Sequence, residues 1–181
     1  MAIPIKVQQH KLTSANFVAS PNCDDRPSAS ELDLIVIHNI SLPPGQFGTG
    51  CIQQLFTNTL DCSRHEYFAS LSQLKVSSHL LIERDAALTQ FVPFNKRAWH
   101  AGESYYEGRN ACNDFSIGIE LEGTDDDEFT RQQYQRLKEV LICLLATYPR
   151  LNSQAIVGHS DIAPGRKTDP GPKFDWQQIK F

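Results

Sequence analysis

Two apolar runs that each finish in a histidine constrain this chain more than any other feature. Leu34-Ile35-Val36-Ile37-His38 and Ala155-Ile156-Val157-Gly158-His159 read as buried strands. Asp169 follows His159 by ten residues, within Gly165-Arg166-Lys167-Thr168-Asp169-Pro170-Gly171-Pro172. Pro170 biases its predecessor toward extended backbone, and Gly171-Pro172 stiffens the exit. Two neutral imidazoles and one carboxylate are the donor set of a catalytic zinc site with an open fourth position. Such a site acidifies water and polarises carbonyls, which points to a hydrolase. Either histidine alone is more simply a core residue bonded to backbone. Their shared setting, with a rigidly held carboxylate nearby, favours His38, His159 and Asp169 as ligands of one Zn2+ per chain.

The rest of the chain supports a single α/β (α+β) domain over 1–181, with a central mixed β-sheet flanked by helices. Residues 34–38 form a strand, and Leu42-Pro43-Pro44-Gly45-Gln46-Phe47-Gly48 is a breaker-rich loop close to His38. Thr49 caps a helix that turns Ile52, Leu55 and Phe56 inward. Leu80-Leu81-Ile82 and Thr89-Gln90-Phe91-Val92 form a hairpin turning near Arg84-Asp85-Ala86. Phe115, Ile117, Ile119 and Leu121 share one face of a strand, with Ser116, Gly118 and Glu120 on the other. Thr130 and Gln133 make a capping box, and Phe129 with Tyr134 a hydrophobic staple. Tyr134, Leu137, Leu141, Leu144, Leu145 and Tyr148 continue with helical spacing up to Pro149. A short helix closes the chain from Phe174 to Lys180. Residues 1–30 read as a polar lead-in segment packed on the domain, with Ser20 to Pro27 as loop.

Composition excludes several classes. The 181 residues are 40% hydrophobic and 21% charged, with a formal charge of -4, so no nucleic-acid groove is expected. No apolar run approaches the roughly 18 residues of a membrane span. The start, Met1-Ala2-Ile3-Pro4-Ile5-Lys6-Val7, lacks the apolar core of a secretory leader. The cysteines Cys23, Cys51, Cys62, Cys112 and Cys143 are odd in number and contain no C-x-x-C, which suits free thiols in a cytoplasmic, monomeric protein.

Other residues are candidates for chemistry. Lys167 leaves an extended segment on the same face as Asp169, where an ammonium can hold charge developing on a tetrahedral intermediate. An amide hydrolase needs a base for water and an acid for the departing amine, and one carboxylate can serve both. Glu120 and Glu122 both fit by spacing, and the pattern does not separate them. Asn39, next to His38, can bond a substrate amide. Trp99-His100 can stack on or bond a sugar. His65 and His79 read as structural, and Asp125-Asp126-Asp127-Glu128 as a solvated loop preceding a helix. Two other classes compete. One is a non-hydrolytic binding module, which would lack a ligand or a glutamate. The other is a non-haem iron oxygenase, whose carboxylate usually lies close to the first histidine.

Four segments carry a resemblance: Val36 to Gly45, Val92 to Gly102, Cys112 to Gly123, and Gly158 to Pro172. Together they resemble the cytosolic 1,6-anhydro-N-acetylmuramyl-L-alanine amidases of the AmpD type, a branch of the zinc amidases that includes peptidoglycan recognition proteins. The resemblance implies His38, His159 and Asp169 as zinc ligands, Glu120 as catalytic acid and base, and Lys167 as transition-state stabiliser. It implies an anhydro-muropeptide substrate cut between the lactyl group of muramic acid and L-alanine, in muropeptide recycling. It also implies two departures. Lys75 and Ala111 stand where similar proteins carry arginines that clamp stem-peptide carboxylates. Lys75 keeps the charge without the bidentate fork, and Arg109 is the available substitute for the other.

Overall fold

The computed structural model describes residues 5–27 and 31–180. Met1 to Pro4 of the start, and 28–30 of the lead-in, lie outside the described residues.

The strands are β1 (Val7–Gln8), β2 (Lys11–Leu12), β3 (Asn16–Phe17), β4 (Cys23–Asp25), β5 (Leu34–Ile40), β6 (Leu80–Ile82), β7 (Leu88–Gln90), β8 (Lys96–Ala98), β9 (Tyr105–Tyr106), β10 (Arg109–Asn110), β11 (Ser116–Glu122) and β12 (Ile156–Gly158). The α-helices are α1 (Cys51–Phe56), α2 (Glu66–Ala69), α3 (Arg131–Thr147) and α4 (His159–Ile162). A six-stranded mixed sheet runs in the order β12-β5-β11-β6-β7-β3. β5 lies between β12 and β11 and is parallel to both, so its two faces need cover, which explains its continuous apolar run.

Alternation along β5 splits the core in two. Ile35 and Ile37 join Ile117, Ile119 and Leu121 of β11 under Leu137, Val140, Leu141 and Leu144 of α3. Leu34 and Val36 face the other way, against Ala155 and Ile162. Leu81 of β6 points into a third cluster with Ile52, Leu55 and Phe56 of α1 and Phe68 of α2. Helices therefore cover both faces. His38 and Glu120 fall on the face away from α3, by the same alternation.

The capping box of α3 is present. Thr130 Oγ1 accepts from the Gln133 N–H at 3.1 Å, and Gln133 Oε1 accepts from the Thr130 N–H at 3.0 Å. Gln133 Nε2 also donates to the carbonyls of Ile82 and Glu122, tying the helix to two strands. The stapling rings of Phe129 and Tyr134 lie 6.2 Å apart.

Several local expectations need correction. β5 continues two residues past His38, to Ile40. The N-cap of α1 is Gly50, at φ 71, while Thr49 Oγ1 still accepts from the Cys51 N–H at 3.1 Å. Phe115 precedes β11 and packs with Leu34 and Val36, opposite to Ile117. The terminal helix is a 3-10 turn, Trp176–Ile179, because Phe174 is held against Phe129 and Tyr134 and leaves Asp175 as the cap. The Ser20 to Pro27 segment contains β4, paired antiparallel with β8, and β3 extends the central sheet beside β7. No helix among the described residues is long and apolar enough to cross a membrane.

Candidate metal centre and active site

Strand register brings the distant side chains together. β5 and β11 pair so that His38 stands beside Glu120. β12 pairs with β5 one rung earlier, Gly158 against Ile37, so His159 opens α4 next to His38. Asp169 reaches the same point from a loop pinned to that strand end. The Ser160 N–H donates to the Asp169 carbonyl at 3.0 Å. Pro170 packs onto Gly158 so closely that a Cβ there would stand 2.7 Å from Pro170 Cδ.

Three donor atoms converge. His38 Nδ1 lies 2.9 Å from His159 Nδ1 and 3.0 Å from Asp169 Oδ2, and His159 Nδ1 lies 3.1 Å from Asp169 Oδ2. His159 Nε2 faces the Ala101 carbonyl at 3.0 Å, so its proton sits there and Nδ1 presents a lone pair. One proton could satisfy one edge of this triangle, not three. A tetrahedral zinc ion with bonds of about 2.0–2.1 Å spaces its donors at roughly 3.3 Å, so the donor set suits such an ion. Among the described residues, these three form the only group of His, Cys, Asp or Glu side chains placed to hold a metal ion.

Electrostatics agree with that use. Burial pushes His38 down to about 4, outweighing the Asp169 hydrogen bond that raises it, and the neighbouring His159 adds to the lowering. His38 is therefore neutral at pH 7, the state in which it can ligate. Burial works to raise Asp169, but its hydrogen bonds to His159 and His38 hold it below the usual carboxylate range. Glu120 behaves oppositely: burial, then the Asp169 charge, push it well above its ordinary value, while Lys167 pulls it down. Glu120 Oε2 is buried with no hydrogen-bond partner.

His38, His159, Asp169, Glu120, Lys167, Asn39 and Trp99 all line one cleft of about 600 Å3. Leu42, Pro44 and Gly45 of the breaker-rich loop form part of its wall. Asn39 Nδ2 is already engaged, donating to Asp125 Oδ1 at 2.7 Å and to the Pro170 carbonyl at 3.1 Å. Asp125 is thus a half-buried cleft residue and not part of a freely solvated loop. Arg109 does not reach this cleft. Its guanidinium pairs with Asp33 at 2.7 Å, lies 3.7 Å over the Phe115 ring, and lines a separate cavity of about 370 Å3. Lys75 is exposed, and its neighbours Leu74 and Val76 line the cleft in its place.

Glu122 points into the protein interior. It is buried, with Oε1 accepting from the Gly48 N–H at 2.6 Å and Oε2 from the Arg84 N–H at 3.2 Å. His65 caps α2 by accepting from the Tyr67 N–H, and His79 Nδ1 accepts from the Gly118 N–H. His100 stood out in the sequence only beside Trp99, as a contact for a sugar, and Ser116 only as a polar position on a strand. Gly118, inside a strand, is where the His100 ring approaches the backbone.

Comparison with known proteins accords with this geometry. A family model described as N-acetylmuramoyl-L-alanine amidase matches residues 28–172. The 1,6-anhydro-N-acetylmuramyl-L-alanine amidase AmpD of Escherichia coli (strain K12) is 53% identical over 174 residues, covering 96% of this chain and 94% of that protein. A crystal structure of a selenomethionine AmpD derivative superimposes with a TM-score of 0.93 at 53% identity, covering 96% of each chain. The E. coli amidase AmiD, solved with anhydro-N-acetylmuramic acid-L-Ala-D-gamma-Glu-L-Lys, gives 0.60 at 28% identity over 97% of this chain and 64% of that one. With its cleft, its strand register and its sequence all in accord, this chain belongs to the N-acetylmuramoyl-L-alanine amidase family.

Proposed function

We propose that the protein is a zinc-dependent amidase that hydrolyses the bond between the lactyl group of (1,6-anhydro-)N-acetylmuramic acid and L-alanine. One observation carries the reading. Three ligand-type atoms within 3.1 Å of one another share a cleft with a buried carboxyl oxygen that has no partner. The substrate class comes from kinship with the AmpD relatives and from the ligand solved in AmiD.

His38, His159 and Asp169 hold the zinc ion, which when bound supplies Lewis acidity that acidifies water and polarises the scissile carbonyl. Glu120 takes a proton from the attacking water as its oxygen bonds to the lactyl carbonyl carbon. Its raised affinity for protons suits a group that must keep that proton briefly and then release it. Lys167 faces the charge that grows on the carbonyl oxygen. Removing such a donor typically costs about 3–4 kcal/mol of barrier. Glu120 then passes its proton to the alanine nitrogen as the C–N bond breaks, so the free stem peptide leaves as an amine. Asn39, its amide fixed by Asp125 and Pro170, leaves Oδ1 to accept a substrate N–H. Trp99 supplies an apolar face to the sugar.

We assign the reaction to a monomer in cytosolic muropeptide recycling, where it lowers the signal that induces chromosomal β-lactamase. Cells lacking the protein then accumulate uncleaved anhydro-muropeptide in the cytosol. Product masses from anhydro-muropeptide, with and without chelator, test the chemistry. Release of intact stem peptide that stops on chelation and returns with zinc supports it. Cleavage elsewhere, or none by the zinc-loaded protein, refutes it.

A further inference from the structure

The two histidines of the donor triangle are anchored by unlike partners. His159 Nε2 faces the Ala101 carbonyl at 3.0 Å, which accepts and never donates, while Arg166 Nη2, 3.5 Å from the same nitrogen, gives its shorter bond to that carbonyl, so Nε2 is the favoured home of the His159 proton. His38 Nε2 instead faces His100 Nδ1 at 2.9 Å, and His100 Nε2 faces Ser116 Oγ at 3.1 Å. A neutral imidazole and a hydroxyl can each donate or accept. This row therefore has two proton arrangements. In the first, His38 donates to His100, His100 donates to Ser116, and His38 Nδ1 is a bare lone pair. In the second, Ser116 donates to His100 and His100 to His38. The His38 proton then sits on Nδ1, inside the triangle and 3.0 Å from Asp169 Oδ2. Only the first arrangement can take a cation.

The fold holds His100 in place for this task. The His100 and Ala101 N–H groups both donate to Asn113 Oδ1, at 3.1 and 2.8 Å. The ring lies in the gap left by Gly118, where a Cβ would stand 2.5 Å from His100 Cγ. Arg26 steadies the far end, donating to the Ser116 carbonyl at 2.8 Å.

We infer that His100 is a positioning residue for the metal site and Ser116 its terminal acceptor, the two together selecting the His38 tautomer that can ligate. The inference rests on the zinc reading of the triangle. It adds that zinc uptake is coupled to a proton arrangement extending to the start of β11.

Two readouts test it: zinc affinity by chelator competition, and the His38 tautomer by long-range proton–nitrogen NMR of the metal-free protein. His100→Leu, which removes the acceptor, is expected to weaken zinc binding by about 10–100-fold, the usual effect of losing a ligand's partner. His100→Gln, which restores an acceptor, recovers most of that loss. Ser116→Ala weakens zinc less and raises the fraction of His38 protonated on Nδ1. Folded His100→Leu with wild-type zinc affinity overturns the inference. If His100→Leu does not fold, Ser116→Ala decides: an unchanged tautomer and unchanged affinity overturn it equally. A wild-type protein that binds no zinc sinks the metal reading itself, whereas a wild-type binder with indifferent variants sinks only this inference.

Discussion

Glu120 and Glu122 leave the same face of β11, yet Glu122 has both oxygens occupied by the Gly48 and Arg84 amides while Glu120 Oε2 has no partner. A buried acceptor without a donor costs about 1–3 kcal/mol, which a chain retains only where another group or substrate completes it. Glu122 instead fastens the cleft-wall loop to the hairpin.

The two glutamates should therefore fail differently. Glu120→Gln is expected to bind zinc normally and to lose at least about a hundredfold in kcat. Glu122→Gln places an amide NH2 against a backbone N–H and should lose about 1–3 kcal/mol of stability in urea unfolding. An active Glu120→Gln beside a dead but stable Glu122→Gln would reverse the assignment.

Lys167 lowers the affinity of Glu120 for its proton, against burial and Asp169, which raise it. Glu120 must be ionised to accept a proton from water, so its titration sets the acid limb of kcat/KM. Removing Lys167 removes the lowering influence. The acid limb of Lys167→Ala should then lie at higher pH than that of the wild type, with kcat down about 10²–10³-fold. Lys167→Arg should keep the limb near its original position. A pH profile of all three proteins checks this.

Metal-free protein should be acid-sensitive in a defined window. His38 is held at about 4 against an ordinary 6.5, by burial first, and His79 and His100 are also held well below 6.5. Below pH 6.5 the unfolded chain takes up protons that the folded chain refuses. Stability present above 6.5 is thus lost as pH falls toward 4, by about 3 kcal/mol for His38 alone. Asp169, depressed below the carboxylate range, extends the loss further into acid. Urea unfolding in chelator at pH 7 and at pH 4.5 measures it, and equal midpoints would refute it. Added zinc should raise the midpoint at pH 7 far more than at pH 4.5, since protons compete for the donors.

Arg26 should matter for stability out of proportion to its place in a polar lead-in. It donates to the carbonyls of Phe94, Asn113, Asp114 and Ser116. Burial lowers it only to about 10, so it remains charged. Arg26→Met leaves these carbonyls without their donor and should cost about 3 kcal/mol or more. A change within 0.5 kcal/mol, the range of an ordinary surface substitution, would contradict this role.

The legible parts of the sequence were those with long-range periodicity. The apolar runs before His38 and His159 identify two neighbouring strands of the sheet, and the pattern from Thr130 to Tyr148 identifies a capped helix, because burial imposes a period on more than ten of its residues. Asp169 was legible through its prolines and glycine. Glu120 and Glu122 were not separable by spacing, since two residues on one strand face share a period and differ only in what the rest of the chain brings to them. β3 and β4 were missed because strands of two or three residues are too short to show alternation. Arg109 looked available for substrate but lies over Phe115 and is drawn off by Asp33, a residue far away in sequence whose pairing no local pattern records.

The lateral pairing of His38 with Glu120, one rung from Gly158 on Ile37, has a consequence for how such a chain can vary. His38 and Glu120 are separated by the sheet's own repeat of ~4.8 Å. Loops around the pair can lengthen, shorten or drift without detuning that spacing. Only a slip of one strand against another would detune it, and the same slip would turn the apolar faces of the strands outward. Any copy of this chain that closes its core has therefore also set Glu120 beside His38.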